Sequence, residues 1–315
     1  MITFIDNLIN KIKFKKSHAV VGLDPDFNNF PAYFKNNAYS LTEIGEAILE
    51  FNIKIIDAIC DLVPAIKPQI AFYERYGLDG INAFVKTVNY GKKKGLIVIE
   101  DAKRNDIGST ATAYSEGHIG RVEINGKSVP VFDVDAITVN PYLGSDGIVP
   151  FLQDVKNYGK GIFVLVKTSN KSSIELQDIK INDEDGKTYK LYEVVAKLVD
   201  NWGKTVKGKS GYSSVGAVVG ATFPTDARIL RKLMPKTYFL VPGFGIQGGK
   251  AEDVISSFNE DGLGALINAS RSVIYAYQFD EKFNEVQFAD AARDAVLKMN
   301  KEINQELKKR QLLIW

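Results

Sequence analysis

The stretch VIEDAKRNDIGSTA, residues 98–111, decides how the rest of the chain is read. It begins inside a short apolar run, LIVIE (96–100), then turns abruptly into Asp101, Lys103, Arg104 and Asp106. Gly108, Ser109 and Thr110 follow and open a helical pattern. An apolar run this short suits a strand covered on both faces, as in a parallel sheet between helices. In such folds the ends of the strands carry the functional groups. Four alternating charges at that point need a reason, because desolvating them is costly.

The same unit recurs on either side. HAVVGL (18–23), LVPAIK (62–67), AITV (136–139), GIFVLV (161–166), VGAVV (215–219), YFLV (238–241) and ALIN (265–268) each end in Gly, Pro, Asn or a charge. Helical patterns fill the gaps: residues 40–59, with Ser40 or Thr42 as cap, and 81–94, 189–204, 226–233, 251–258 and 284–308. Eight strands alternating with helices is the count of a (β/α)8 TIM barrel, an α/β fold expected here as a single domain. An open doubly wound sheet alternates in the same way. Two insertions interrupt the rhythm, near 121–133 and 170–188. The first holds Asn125-Gly126 between short alternating runs, a hairpin signal. The second ends in NDEDGKT (182–188) and reads as an extended loop with a turn.

The bulk composition excludes several classes of function. The chain has 315 residues, 45% hydrophobic and 25% charged, and 40 Lys+Arg against 38 Asp+Glu leave a net charge of +2. Nothing there pulls the protein toward nucleic acid or a membrane surface. Cys60 is the only cysteine, so no intrachain disulfide forms. The N-terminal segment has Asp6 early and its lysines late, the reverse of a secretion signal. No apolar stretch is long enough for a transmembrane helix. The expected location is the cytoplasm.

The strand ends are unusually polar: Asp24, Lys67, Asp101 with Lys103, Asn140, Lys167 with Thr168, Pro242 and Arg271. Asp101 and Lys103, two residues apart, leave one face of an extended chain, and Lys67 ends the neighbouring strand. Asp106 and Thr110 share one face if a helix begins near Asp106. Taken alone, Asp101 and Lys103 read equally as a structural ion pair. With Lys67 and Asp106 beside them, the four charges read as a site.

VPGFGIQGG (241–249) matches G-x-G-x-x-G through Gly243, Gly245 and Gly248. A dinucleotide domain is the reading that this motif invites. Too little chain follows Gly249 to build one, and ordinary tight turns explain the glycines as well. The reading adopted is the phosphate site that barrels form after strands seven and eight, with backbone N–H groups and a helix N-terminus around the dianion. Arg271 would add a bidentate donor and Gln247 a second side-chain contact. Other constellations carry less. His18 and His118 have no partners at metal-ligand spacing. Cys60 lies on an apolar helical face, and the lysine runs 11–16 and 92–94 read as solvated helix faces.

Taken together, EDAKRNDIGST (100–110), Asp24 in VGLDPD, Lys67 in AIKPQIAFYE, Thr168 in LVKTSN, VPGFGIQGG and NASRSVIYA resemble the orotidine 5′-phosphate decarboxylase family, with its D-x-K-x-x-D signature. The resemblance runs from Val20 to about Tyr277, and the two insertions resemble the longer branch of the family. It implies a (β/α)8 homodimer that converts orotidine 5′-phosphate to uridine 5′-phosphate and CO₂ with no cofactor and no metal. Lys103 would protonate C6. Asp101 would sit beside the substrate carboxylate, and Lys67 would complete the array and contact the ribose. Asp24 would bind a ribose hydroxyl. Asp106 and Thr110, with Ile107 beside them, would reach the partner's site. Thr168 would read the pyrimidine edge, Pro242 would line the substrate, and Gln247 and Arg271 would hold the phosphate. Two departures stand out. Gly248-Gly249-Lys250 follow Gln247 where some relatives carry a tyrosine, and threonine replaces the serine of shorter relatives at Thr168. The rival reading is a Mg²⁺-dependent sugar-phosphate decarboxylase or aldolase of the same barrel superfamily. A catalytically silent nucleotide-binding barrel is a third, against which the intact Lys103 argues.

Overall fold

Each of the eight apolar runs forms a strand, and the sheet closes on itself. The computed structural model describes residues 2–183, 185–245 and 248–315. In chain order the strands are β1 (Ala19–Leu23), β2 (Ala65–Pro68), β3 (Ile97–Arg104), β4 (Val122–Ile124), β5 (Lys127–Val129), β6 (Ala136–Val139), β7 (Gly161–Lys167), β8 (Lys180–Asn182), β9 (Thr188–Lys190), β10 (Ser213–Val219), β11 (Thr237–Val241) and β12 (Ala265–Ala269). The barrel runs β1, β12, β11, β10, β7, β6, β3, β2, and the parallel pairing of β1 with β12 closes it. That closure rules out the open sheet. The fold is a (β/α)8 barrel.

Alternation along the strands builds two apolar layers. Val20, Ala65, Ile97, Ile99, Ala136, Phe163, Leu240 and Leu266 pack together inside the barrel. Alternate positions such as Val21, Ile66, Val98, Ile137 and Val164 pack against helix residues including Ile55, Phe84 and Val296. The helix Leu41–Ile59 starts on a Ser40 cap, as the sequence suggests, and Gly77–Lys93 begins a turn earlier than expected.

The helix Phe4–Lys15 is more than a solvated lysine face. Phe4, Ile5, Leu8, Ile9 and Ile12 are buried, and Phe4 meets Phe163 edge-on with ring centroids 5.9 Å apart. It plugs the N-terminal end of the barrel. A Cβ on Gly161 would fall 2.3 Å from the Phe4 ring, so the plug needs glycine there. Its lysines are also engaged: Lys11 donates to the Gly95 carbonyl at 2.5 Å and Lys15 to that of Cys60 at 2.8 Å. Lys92, also expected to be solvated, is paired with Asp133.

The insertions are both hairpins. Asn125 and Gly126 have φ of 51° and 75°, the two left-handed residues of a type I′ turn joining β4 and β5. The second insertion, expected as a loop, holds the short helix Ile174–Gln177 and the pair β8–β9. Turn residues Asp183 and Gly186 concealed the short strands.

Two register shifts shape the mouth. Glu100 stands opposite Ile137 and Arg104 opposite Val139, so Asp101, Ala102 and Lys103 share Thr138 as their counterpart. The Thr138 hydroxyl takes the N–H groups of Ala102 and Lys103 at 3.0 Å each. Lys103 sits at φ 52°, a left-handed conformation that costs a non-glycine residue roughly 1 kcal/mol. The other shift lies between β7 and β10, where Lys167 comes opposite Val219. Lys167 therefore turns toward the helix layer, packs over Phe223 and Tyr192, and pairs with Asp178 of the second insertion. It does not line the mouth, contrary to its position at a strand end.

Candidate active site

The Asp101 carboxylate lies between two ammonium groups. Lys67 Nζ donates to one oxygen at 2.7 Å, Lys103 Nζ to the other at 2.5 Å, and the Thr138 hydroxyl adds a bond at 3.0 Å. Adjacent parallel strands create this: β2 brings Lys67, and the bulge on β3 brings both Asp101 and Lys103. Lys67 is buried, Asp101 nearly so, and the Lys103 side chain is 45% exposed. Burial disfavours the Asp101 charge, but Lys67 and then Lys103 outweigh it and hold the carboxyl well below the usual range. Burial likewise disfavours the Lys67 ammonium, yet Asp101 and Asp24 push its pKa up. At neutral pH Lys67 and Asp101 are both charged, and Lys103 is the side chain of the three that reaches solvent.

A cleft of about 430 Å³ opens over Lys67 and Asp101, with Lys103 outside its lining and bonded to the Asp101 carboxylate. Asp24, Lys67, Asp101, Pro242 and Arg271, each expected at the site, line it. Gln69, Phe72, Asn268, Ser270, Ser272 and Tyr275 also line it. Tyr275 fixes the loop after β1: its hydroxyl accepts the Asp26 N–H at 2.7 Å and lies 3.1 Å from the Asp24 carbonyl. Burial pushes the Asp24 carboxyl up, against the pull of Lys67. At the other end, Arg271 is exposed, and among the described residues no carboxylate pairs with it.

The remaining expected residues stand elsewhere. Asp106 and Thr110 do not share a helix face, because the helix is Gly108–His118 and Ile107 before it is extended. Gly108, at φ 53°, sets that start. Asp106 accepts the Ile107 N–H at 2.7 Å, and its carboxylate makes no ion pair within the chain among the described residues. Ile107 is 54% exposed and Thr110 is exposed. Thr168 lies outside the cleft lining, its hydroxyl bonded to Asn170 and Gln177, both at 2.7 Å. Gln247 falls outside the described residues. Among the described residues of the glycine loop, the N–H groups of Gly245, Gly248 and Gly249 donate to the carbonyls of Gly249, Gly245 and Gly243, respectively. The turn takes up those three N–H groups, and Arg271 lines the cleft with Ser270 and Ser272 beside it.

Thr138, Asn268, Ser270 and Tyr275 escaped the sequence reading. Asn268 had a usable signal, a polar residue at an inward position of a strand whose other inward residue, Leu266, is core. Thr138 and Tyr275 had none, since both types are common on strands and helices. Among the described residues no group of three His, Cys, Asp or Glu side chains is arranged to hold a metal ion.

An ammonium held against a carboxylate at the mouth of a barrel, with an arginine across the cleft, defines an enzyme that handles charge and protons on a small anionic substrate. The model of the orotidine 5′-phosphate decarboxylase / HUMPS family matches residues 20–285. An orotidine 5′-phosphate decarboxylase of Caldicellulosiruptor bescii is 44% identical over 283 residues, 88% of this chain and 91% of that protein. One of Rhodopirellula baltica is 41% identical over 96% of this chain and 99% of that protein. The solved structure of Leishmania donovani OMP decarboxylase superposes with a TM-score of 0.73 at 30% identity, covering 97% of this chain and 99% of that one. The chain belongs to the orotidine 5′-phosphate decarboxylase family. Its reaction is the carboxy-lyase step of UMP biosynthesis, orotidine 5′-phosphate to uridine 5′-phosphate and CO₂.

Proposed function

We propose that Lys103 delivers a proton to C6 of the pyrimidine as CO₂ departs, with Asp101 and Lys67 as its electrostatic frame. The observation that carries this is the Asp101 carboxylate bonded to both ammoniums at 2.5 and 2.7 Å. The electron pair left at C6 lies in the ring plane, where the ring π-system does not accept it. A preorganised ammonium stabilises that charge and supplies the proton. Asp101 repels the substrate carboxylate but not neutral CO₂. At roughly 4 Å and an effective dielectric near 20, such a contact is worth about 4 kcal/mol. Binding energy from the distant phosphate, held by Arg271 and, in this reading, Gln247, keeps the carboxylate in place. Asp24 takes a ribose hydroxyl and Pro242 lines the substrate; Thr168 would read the pyrimidine edge only by exchanging its bonds to Asn170 and Gln177 for the base.

The test is loss of the orotate absorbance when the protein meets orotidine 5′-phosphate in excess EDTA. Turnover is expected, because this frame needs no metal to stabilise the carbanion. Inertness until Mg²⁺ and a keto-sugar phosphate are supplied would transfer the site to the rival chemistry.

The enzyme is further proposed to be a cytoplasmic homodimer in which Asp106, Ile107 and Thr110 complete the partner's site. Asp106, which makes no ion pair among the described residues of its own chain, supports this, as do the exposed Ile107, Tyr142 and Leu143 on the loops after β3 and β6. Mixing inactive Lys103→Ala and Asp106→Asn subunits checks it. Half the dimers are then hybrids with one intact site, so roughly a quarter of wild-type activity returns. No recovery on mixing, with subunit exchange demonstrated, would sink the shared site.

A further inference from the structure

We propose that Glu100 and His118 are positioning residues for the reaction: their bond fixes the bulge that presents Asp101 and Lys103. This rests on the reading of Lys103 as the proton donor. Glu100 stands just before the bulge on β3 and is fully buried, and His118 is 7% exposed. Alternation turns Glu100 away from the barrel interior, where Ile97 and Ile99 pack, and toward the helix layer. There one hydrogen joins Glu100 Oε2 to His118 Nδ1, 2.7 Å apart. The other oxygen, Oε1, is buried and has no hydrogen-bond partner among the described residues. A buried carboxyl with one partner is a costly way to hold a strand to a helix, since an apolar pair of similar volume often packs with no loss of stability. What the polar pair adds is a fixed direction.

The bulge needs that direction. Asp101, Ala102 and Lys103 share the single counterpart Thr138, and Lys103 is left-handed at φ 52°. A backbone of this kind persists only where its surroundings over-determine it. After the bulge, Arg104 pairs with Glu74, which follows β2, and lies 6.0 Å from the centroid of the Tyr114 ring. Before the bulge, the side-chain anchor is the Glu100–His118 bond. His118 is itself fixed. It ends the helix Gly108–His118, its ring packs on Phe132 with centroids 5.1 Å apart, and its carbonyl takes the Val134 N–H at 3.2 Å. The chain returning from the first insertion thus braces the histidine, and the histidine braces β3. Without the bond the bulge loses its leading anchor, and Lys103 Nζ shifts against Asp101. A displacement of about 1 Å at reacting groups costs up to about a hundredfold in rate.

The experiment compares the full chain as wild type, as the double variant Glu100→Leu/His118→Phe and as His118→Asn. The readouts are kcat for orotidine 5′-phosphate, calorimetric affinity for uridine 5′-phosphate and melting temperature. The apolar pair should leave the melting temperature unchanged or raised and product affinity within about twofold, while kcat falls about tenfold. A role in stability alone predicts instead a rate that follows the melting temperature. His118→Asn places an amide donor near the position of Nδ1 and should keep roughly half of wild-type kcat or more. The proposal is overturned if the double variant keeps its kcat, if kcat and product affinity fall together, if kcat merely tracks the melting temperature, or if His118→Asn is as slow as the double variant. If the double variant does not fold, Glu100→Gln replaces it: this change keeps the shape and weakens the bond, so kcat should fall about threefold at constant affinity, and an unchanged kcat overturns the proposal. A Lys103→Ala variant as active as wild type overturns the reading of the donor instead.

Discussion

Lys103→Ala is expected to lower kcat for orotidine 5′-phosphate by roughly four orders of magnitude or more. The change removes a proton donor, worth about 10²–10⁴, and a preorganised charge, worth about 10²–10³. Affinity for uridine 5′-phosphate should stay within a few-fold, because Asp101 keeps its bond to Lys67. A backbone effect has to be separated, since residue 103 is left-handed and alanine bears the same conformational cost as lysine. Lys103→Gly relieves that cost. Equal inactivity of both variants, with intact product binding, assigns the loss to the ammonium. A variant retaining more than a few per cent of wild-type turnover would show that solvent supplies the proton.

Asp101→Asn has the second largest expected effect, and it reaches stability as well as rate. The carboxylate neutralises two ammoniums, one of them almost fully buried. Removing it leaves Lys67 with Asp24 as its remaining counter-charge, at a cost of about 3 kcal/mol or more. Turnover should fall roughly a thousandfold as Lys103 loses its anchor. The pH dependence has a definite sign. The Asp101 carboxyl lies below its ordinary 3.8, so its stabilisation is fully present above that value and is lost as the pH falls through and below it. The melting-temperature gap between wild type and Asp101→Asn should therefore narrow on acidification below 3.8. A gap constant down to the acid unfolding limit would mean that the carboxylate is not held by charge.

The barrel was legible because its strands are short, apolar and evenly spaced, a pattern that two-sided burial imposes on a parallel sheet. Asp24, Lys67 and Asp101 were legible for a related reason: a charge at the end of such a run has nowhere to go but the mouth. The same logic misplaced Lys167, because one register shift turns a strand end from the mouth to the helix layer. It also missed Asn268, which was read only as the residue that ends its apolar run. Asp106, Ile107 and Thr110 carry a different lesson. Their sequence neighbourhood is that of the site, but they stand outside the lining of the cleft, and spacing along one chain does not say whether a residue reaches it. The plug helix was missed because its lysines, on the outer face, dominate its composition.

That plug makes the barrel a cup. With the N-terminal end stoppered by Phe4 and its neighbours, and the interior filled with side chains, the mouth is the doorway that the described residues leave for traffic. Gas and nucleotide leave by the route the substrate entered. CO₂ released at the bottom of the cleft therefore begins its exit beside a nucleophilic carbon. If Lys103 is the donor proposed above, forward commitment depends on a race, proton delivery from Lys103 against recapture of the CO₂, and the short tether between that ammonium and Asp101 starts the race with the proton already at the line.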